Sequence, residues 1–173
     1  MPQHAPGREP SRLAALRELL VLDTPEETAF DELVRTAADL CDAPIALISL
    51  IDEHRQWFKA RVGLQVKETP REHAFCAHAI ATPNETMQVA DATQDERFAS
   101  NPLVTGEPGI RFYAGAPLVT SDGQPIGTLC VIDRVPRQLD PQKLEMLRFL
   151  AQQVVTRLEE RRRGSAESPL PSA

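Results

Sequence analysis

The sequence predicts an α+β domain: a central antiparallel sheet of five or six strands, flanked by helices, with long helices at both ends. Three observations predict it. The stretch Arg111–Asp133 reads as a β-hairpin, with apolar runs Phe112–Val119 and Ile126–Ile132 on either side of Ser121-Asp122-Gly123-Gln124. An Asp-Gly pair there supplies the positive φ that a tight turn requires. The run Pro44–Ile51 is almost continuously apolar, as a central strand is, and Asp52–Arg55 turns it back into an alternating run, Gln56–Val62. Helix-start signals are spread along the chain: Thr-x-x-Glu begins at Thr24, Thr69 and Thr93, and Asp140-Pro141 opens a long apolar-periodic stretch. Strands joined by turns, with helices packed on the sheet, make the α+β class.

Taken in order, residues 1–10 and 164–173 are rich in Pro, Ser, Gly and Ala and are expected to be disordered tails, which leaves 11–163 as one domain. Ser11 is a candidate N-cap for a helix to Leu20, with Leu13, Leu16 and Leu20 on one side. Thr24-Pro25-Glu26-Glu27 combines a capping box with proline at the first helical position, and Phe30, Leu33, Val34, Ala37 and Cys41 then recur at helical spacing. Cys41 belongs to the buried face, since a free cysteine behaves as a small hydrophobe. Alternation along Gln56–Val62 puts Trp57, Lys59 and Arg61 on one face and Phe58, Ala60 and Val62 on the other, near the sheet edge. Trp57 is expected to be an apolar platform under a helix. Thr69-Pro70-Arg71-Glu72 predicts a helix through Ala81, Met87–Ala90 a short strand, and Thr93-Gln94-Asp95-Glu96 a short helix ended by Pro102. Gly115 and Gly127, inside strands, mark a bulge or a close approach.

The closing helix is capped by Asp140, with Pro141 at its first position. Arg161-Arg162-Arg163 complement its dipole and Gly164 is expected to stop it. Leu144, Leu147, Ala151, Val154 and Leu158 step by three and four, a stripe that suits a partner helix, while Met146, Leu150 and Val155 widen the arc to cover the sheet. A homodimer through Pro141–Arg163, helped by Ser11–Leu20, is the expectation.

Composition limits the function classes. The chain has 173 residues, 42% of them hydrophobic, enough for one sizeable core. A net charge of −6 argues against nonspecific nucleic-acid binding. No run reaches the length of a membrane span, and the start MPQHAPGREP lacks the apolar core of a secretory signal. Three widely spaced cysteines, Cys41, Cys76 and Cys130, form neither a zinc-type pair nor a disulfide framework, so a reduced cytoplasm is the expected setting.

The run FCAHAI, the stretch VADATQDERFASNPLVTGEPGIRFYAGAPL and the segment GTLCVID together resemble GAF domains, the PAS-like sensory modules attached to bacterial histidine kinases and diguanylate cyclases. The resemblance extends from about residue 11 to 160. It implies a ligand cavity on one face of the sheet, terminal helices that pair in a dimer, and a kinase or cyclase as the effector. It does not imply an effector domain within this chain. The implied function is a non-catalytic, small-molecule-sensing regulatory module.

Candidate ligand-binding residues are Phe75, Cys76, His78, Phe98, Asn101, Arg111 and Tyr113, for an unidentified ligand that could be small and anionic or nucleotide-like. Arg97 and Arg111 suit either an anion pocket, because arginine grips carboxylate or phosphate bidentately, or salt bridges with Asp91 and Asp95. Cys76 and His78, two apart on a helix, face different ways and do not form a pair. Cys76 shares a face with Ile80, which reads as core. An enzyme of the free methionine-(R)-sulfoxide reductase type is the alternative. It is opposed by Pro102–Pro108, which holds no cysteine where those enzymes carry the catalytic one. A bilin photoreceptor attached at Cys76 is the further alternative, opposed by Ala77 standing between Cys76 and His78.

Overall fold

The computed structural model describes residues 8–167. Six strands form one sheet: β1 (Ile45–Ile51), β2 (Arg55–Val62), β3 (Glu68–Pro70), β4 (Met87–Val89), β5 (Phe112–Val119) and β6 (Pro125–Asp133). Their order is β3-β2-β1-β6-β5-β4, and every neighbouring pair is antiparallel. The most apolar strands, β1 and β6, are therefore central, as expected of runs without polar alternation. The β5–β6 turn forms where the sequence places it, with Gly123 at φ +88 and the Thr120 amide donating to the Gln124 carbonyl. A Cβ on Gly127 would sit 1.8 Å from the Ser49 carbonyl oxygen, and one on Gly115 2.3 Å from the Tyr113 hydroxyl. Close approach, at both positions, is the reason for glycine.

Helices α1 (Arg8–Glu18), α2 (Thr28–Cys41) and α5 (Pro141–Glu167) cover one face of this sheet. The core between them includes Leu16, Phe30, Val34, Ala37 and Cys41 from α1 and α2, and Leu147, Ala151, Val154 and Leu158 from α5. These meet Ile48, Leu50, Trp57, Phe112, Ala114 and Leu129 of the sheet. Trp57 is a platform under helices, as expected. The short helices α3 (Phe75–Ala79) and α4 (Pro102–Thr105) lie on the opposite face, where Leu47, Phe58, Tyr113, Cys130 and Ile132 form a second core.

Several local expectations are corrected. Helix α1 begins at Arg8, so Ser11 lies inside it, and α5 runs through Gly164 to Glu167. Of the expected tails, residues 8–10 and 164–167 are helical, while 1–7 and 168–173 lie outside the described residues. None of the three Thr-x-x-Glu boxes opens an α-helix at its threonine. Helix α2 starts at Thr28, after an N-cap at Glu27. Glu68–Pro70 is a strand followed by a single 3₁₀ turn, Arg71–His73, and α3 starts only at Phe75. Asp91, not Thr93, caps the turn Ala92–Gln94, and Pro102 begins α4 rather than ending a helix. Asp140 does cap α5, through the Lys143 amide at 2.9 Å.

In β2 a bulge inserts Lys59: Ile48 pairs with Ala60 while Ser49 pairs with Phe58. Trp57 and Ala60 thereby share the helical face, and the simple alternation read from sequence fails. Of the α5 stripe expected to meet a partner, Leu147, Ala151, Val154 and Leu158 are fully buried inside their own domain and Leu144 is partly buried against the same core. Met146 and Phe149 point outward instead, 43% and 58% exposed. Among the described residues, no helix is long and apolar enough to cross a membrane.

Candidate functional site

Between the second core and the connections that roof it lies a cavity of ≈ 330 Å³. Its floor is sheet: Ile45 and Leu47 of β1, Gln56 and Phe58 of β2, Tyr113 of β5, Cys130 and Ile132 of β6. Side chains alternate along a strand, so the residues between these face the helical core. The roof is Gly63–Val66, Thr69, Phe75, Leu103 and the segment from Glu107 to Ile110, with Arg134 at the rim. The walls are overwhelmingly apolar. Inside, Gln56 donates from Nε2 to Thr69 Oγ1 at 2.8 Å, and the Tyr113 hydroxyl pairs with Thr128 Oγ1 at 3.2 Å.

Of the seven candidate residues, Phe75 and Tyr113 line this cavity. Phe98 stacks behind Phe75, with ring centroids 4.0 Å apart, and His78 meets Phe98 edge-on at 4.9 Å. Four candidates thus form one aromatic cluster, of which two reach the cavity. His78 is exposed at the rim of the cluster, and desolvation with nearby Arg97 pushes its pKa down.

The other three have structural partners. Asn101 caps α4 by accepting from the Leu103 amide and ties it to α3's approach by donating to the His73 carbonyl at 3.0 Å. Arg111 donates through Nη1 to the Val104 and Ile110 carbonyls at 2.9 and 3.1 Å; it does not line the cavity, and among the described residues it makes no ion pair with Asp91 or Asp95. Arg97 does pair with Asp95, at 2.8 Å. Cys76 sits in a small separate core with Ile51, Ala74 and Ile80, as its helical face suggested.

Burial pushes the Cys76 and Cys130 thiols up to about 12, and raises Cys41 and, further, the Tyr113 phenol. The thiolate, the reactive form, is disfavoured at all three cysteines.

Sequence reasoning missed Gln56, Thr69, Leu64, Val66 and Arg134. One signal was available for Gln56: it is the uncharged polar residue at the start of a strand whose neighbours are buried. Another was the pair of apolar residues in the loop Gly63-Leu64-Gln65-Val66, which need a surface to cover.

The model of the GAF domain family matches residues 25–158. A cyclic di-GMP phosphodiesterase of Pseudomonas aeruginosa is 47% identical over 154 residues, which are 88% of this chain and 26% of that protein. The chain therefore spans about a quarter of the length of that relative. Among solved structures, the GAF domain of a phosphoenolpyruvate-protein phosphotransferase from Coxiella burnetii superposes with a TM-score of 0.68 at 17% identity, over 90% of this chain and 96% of that one. The type II free methionine-R-sulfoxide reductase of Thermoplasma acidophilum gives 0.63 at 13% identity, over 77% and 92%. At such identities these two structures share the fold. With its family model matched across all six strands and most of α5, the chain belongs to the GAF-domain family.

Proposed function

We propose that this domain is a non-catalytic, ligand-sensing module of bacterial signal transduction that acts as a homodimer and regulates an effector enzyme. The observation that carries the reading is the apolar cavity beneath α3 and α4, whose ≈ 330 Å³ lies in the range of small-molecule sites. Three buried thiols with raised pKa values favour it over a cysteine-based reductase, because a nucleophile needs an accessible thiolate. The phosphodiesterase relative supports an effector that handles cyclic di-GMP. The region it shares with this chain is about a quarter of its length. The outward pair Met146 and Phe149, one helical turn apart on α5, supports dimerisation through that helix, by a different face from the buried stripe.

Native mass spectrometry of the protein as purified tests the sensing reading. The expected result is a retained small molecule that Val66→Trp, at the cavity's exposed lip, excludes. A reductase turning over free methionine sulfoxide through thioredoxin at an ordinary enzymatic rate would overturn it. For the dimer, Met146→Glu with Phe149→Glu is expected to give a folded monomer by light scattering where the parent is a dimer. A parent that is monomeric throughout its concentration range removes the dimer from the proposal.

A further inference from the structure

The polar content of the cavity is small and localised, and it selects a chemistry. Gln56 is 6% exposed and lines the cavity. Its Nε2 donates to Thr69 Oγ1, and its carbonyl oxygen accepts no hydrogen bond among the described residues. Thr69, also in the lining, accepts from Gln56 and keeps its own hydroxyl hydrogen to give. The pair therefore offers an acceptor beside donors, the Thr69 hydroxyl hydrogen and the second hydrogen of the Gln56 amide. Exchanging the amide's oxygen and nitrogen still leaves an acceptor beside donors, since the hydroxyl then accepts where it had donated. An acceptor in the lining without a protein partner gains a hydrogen bond when a ligand supplies the donor.

Charge is confined to the rim. Glu107 and Arg134 are the charged residues of the lining; they are opposite in sign and both exposed, and Arg134 Nε is already engaged by the Pro108 carbonyl at 3.0 Å. Arg111, which a sequence reading would aim at an anion, is not part of the lining, and its Nη1 donates to two backbone carbonyls. An ion seated on the floor would lose its hydration against Leu47, Phe58 and Ile132 and meet no counter-charge there.

Resting on the reading of this cavity as the sensing site, we infer that its ligand is an uncharged, mainly apolar small molecule with a lactam- or amide-like edge held by Gln56 and Thr69. This replaces the anionic or nucleotide-like ligand that the sequence suggested.

Three probes on one ring system test it by calorimetry: 2-quinolinone, N-methyl-2-quinolinone and 2-oxo-1,2-dihydroquinoline-4-carboxylate. The expected result is one site for 2-quinolinone, weakened about fivefold by the N-methyl group and by Gln56→Leu, the size of one neutral hydrogen bond. The carboxylate is expected to bind at least about tenfold more weakly, since burying its charge is penalised. Equal binding of the N-methyl compound, or tighter binding of the carboxylate, overturns the inference and leaves the sensing site standing. The N-methyl comparison uses the parent protein, so it decides even where Gln56→Leu fails to fold. Binding of none of the three, together with a purified protein that releases no small molecule in native mass spectrometry, overturns the sensing reading itself.

Discussion

At the scale of single residues, the structure uses buried charges as fasteners. Arg12 is fully buried and donates to both carboxylate oxygens of Glu9 at 3.0 Å, and Arg71 reaches the same carboxylate at 2.6 Å. Hydrogen bonding from Arg12, more than any other favourable contact, lowers the Glu9 pKa from 4.5 to about 2. A depressed carboxylate contributes stability above its unfolded pKa, and that stability is lost as pH falls through the folded value. Glu9→Gln is accordingly expected to cost about 1–2 kcal/mol near neutrality, reduced from the fully buried case because Glu9 retains solvent access. The gap between Glu9→Gln and the parent in denaturant midpoint is expected to be full above pH 4.5 and to close towards pH 2. A gap independent of pH would show that the amide perturbs α1 in some other way. The sequence did not disclose this cluster, because an arginine in an N-terminal segment reads as solvated until the fold brings Arg71 and the Pro125 carbonyl to it.

At the scale of elements, the same logic explains why the helix-start signals misled. Thr24 and the Pro25 carbonyl accept from the buried Lys59 ammonium at 2.8 and 2.6 Å, so the first box is a lysine cradle. Thr69 holds Gln56, and Thr93 is itself capped by Asp91. A short hydroxyl side chain serves whichever donor or acceptor is presented: tertiary partners outcompeted the local cap at Thr24 and Thr69, and Asp91, two residues upstream, took the capping role at Thr93. The signals hold at Asp140-Pro141 and Asp122-Gly123. The bulge at Lys59 was equally illegible, since an inserted residue leaves the strand's composition unchanged. Glu27 is the hub of this region: one carboxylate oxygen takes Lys59 of β2 at 2.7 Å and Arg161 of α5 at 2.6 Å. Removing it strands two cations, whereas Lys59→Met leaves Glu27 with Arg161. Glu27→Gln is therefore expected to cost about 1–3 kcal/mol, reduced from the fully buried case because Glu27 also retains solvent access, and Lys59→Met less. Chemical denaturation with both variants and their double checks the order, and equal losses would dissolve the hub.

Across the whole molecule, one sheet separates two interiors of different kind. The helical side is closely filled and was readable as periodic apolar stripes. The other side contains empty space, and space is legible only when residues distant in sequence are assembled. Phe75 and Tyr113 were found because aromatic residues near a strand advertise themselves; Thr69 and Arg134 were not, because their contribution is position. The cavity's floor and roof also differ in what holds them. The floor belongs to β1, β2, β5 and β6, the four strands paired on both sides. The roof over Leu103–Ile110 is closed by short loop bonds, such as those from the Gly109 and Ile110 amides to the Leu103 carbonyl at 3.1 and 2.9 Å. Amide protons can exchange with deuterated solvent only where such bonds open, and loops open at far lower free energy than central strands. A cavity occupant is thus expected to slow deuterium uptake in segments 63–66 and 103–110 while leaving β1 and β6 as they were. Uniform slowing across the chain would mean that the occupant stabilises the fold as a unit. Confined to the roof, it makes those two loops the clock by which occupancy can be read.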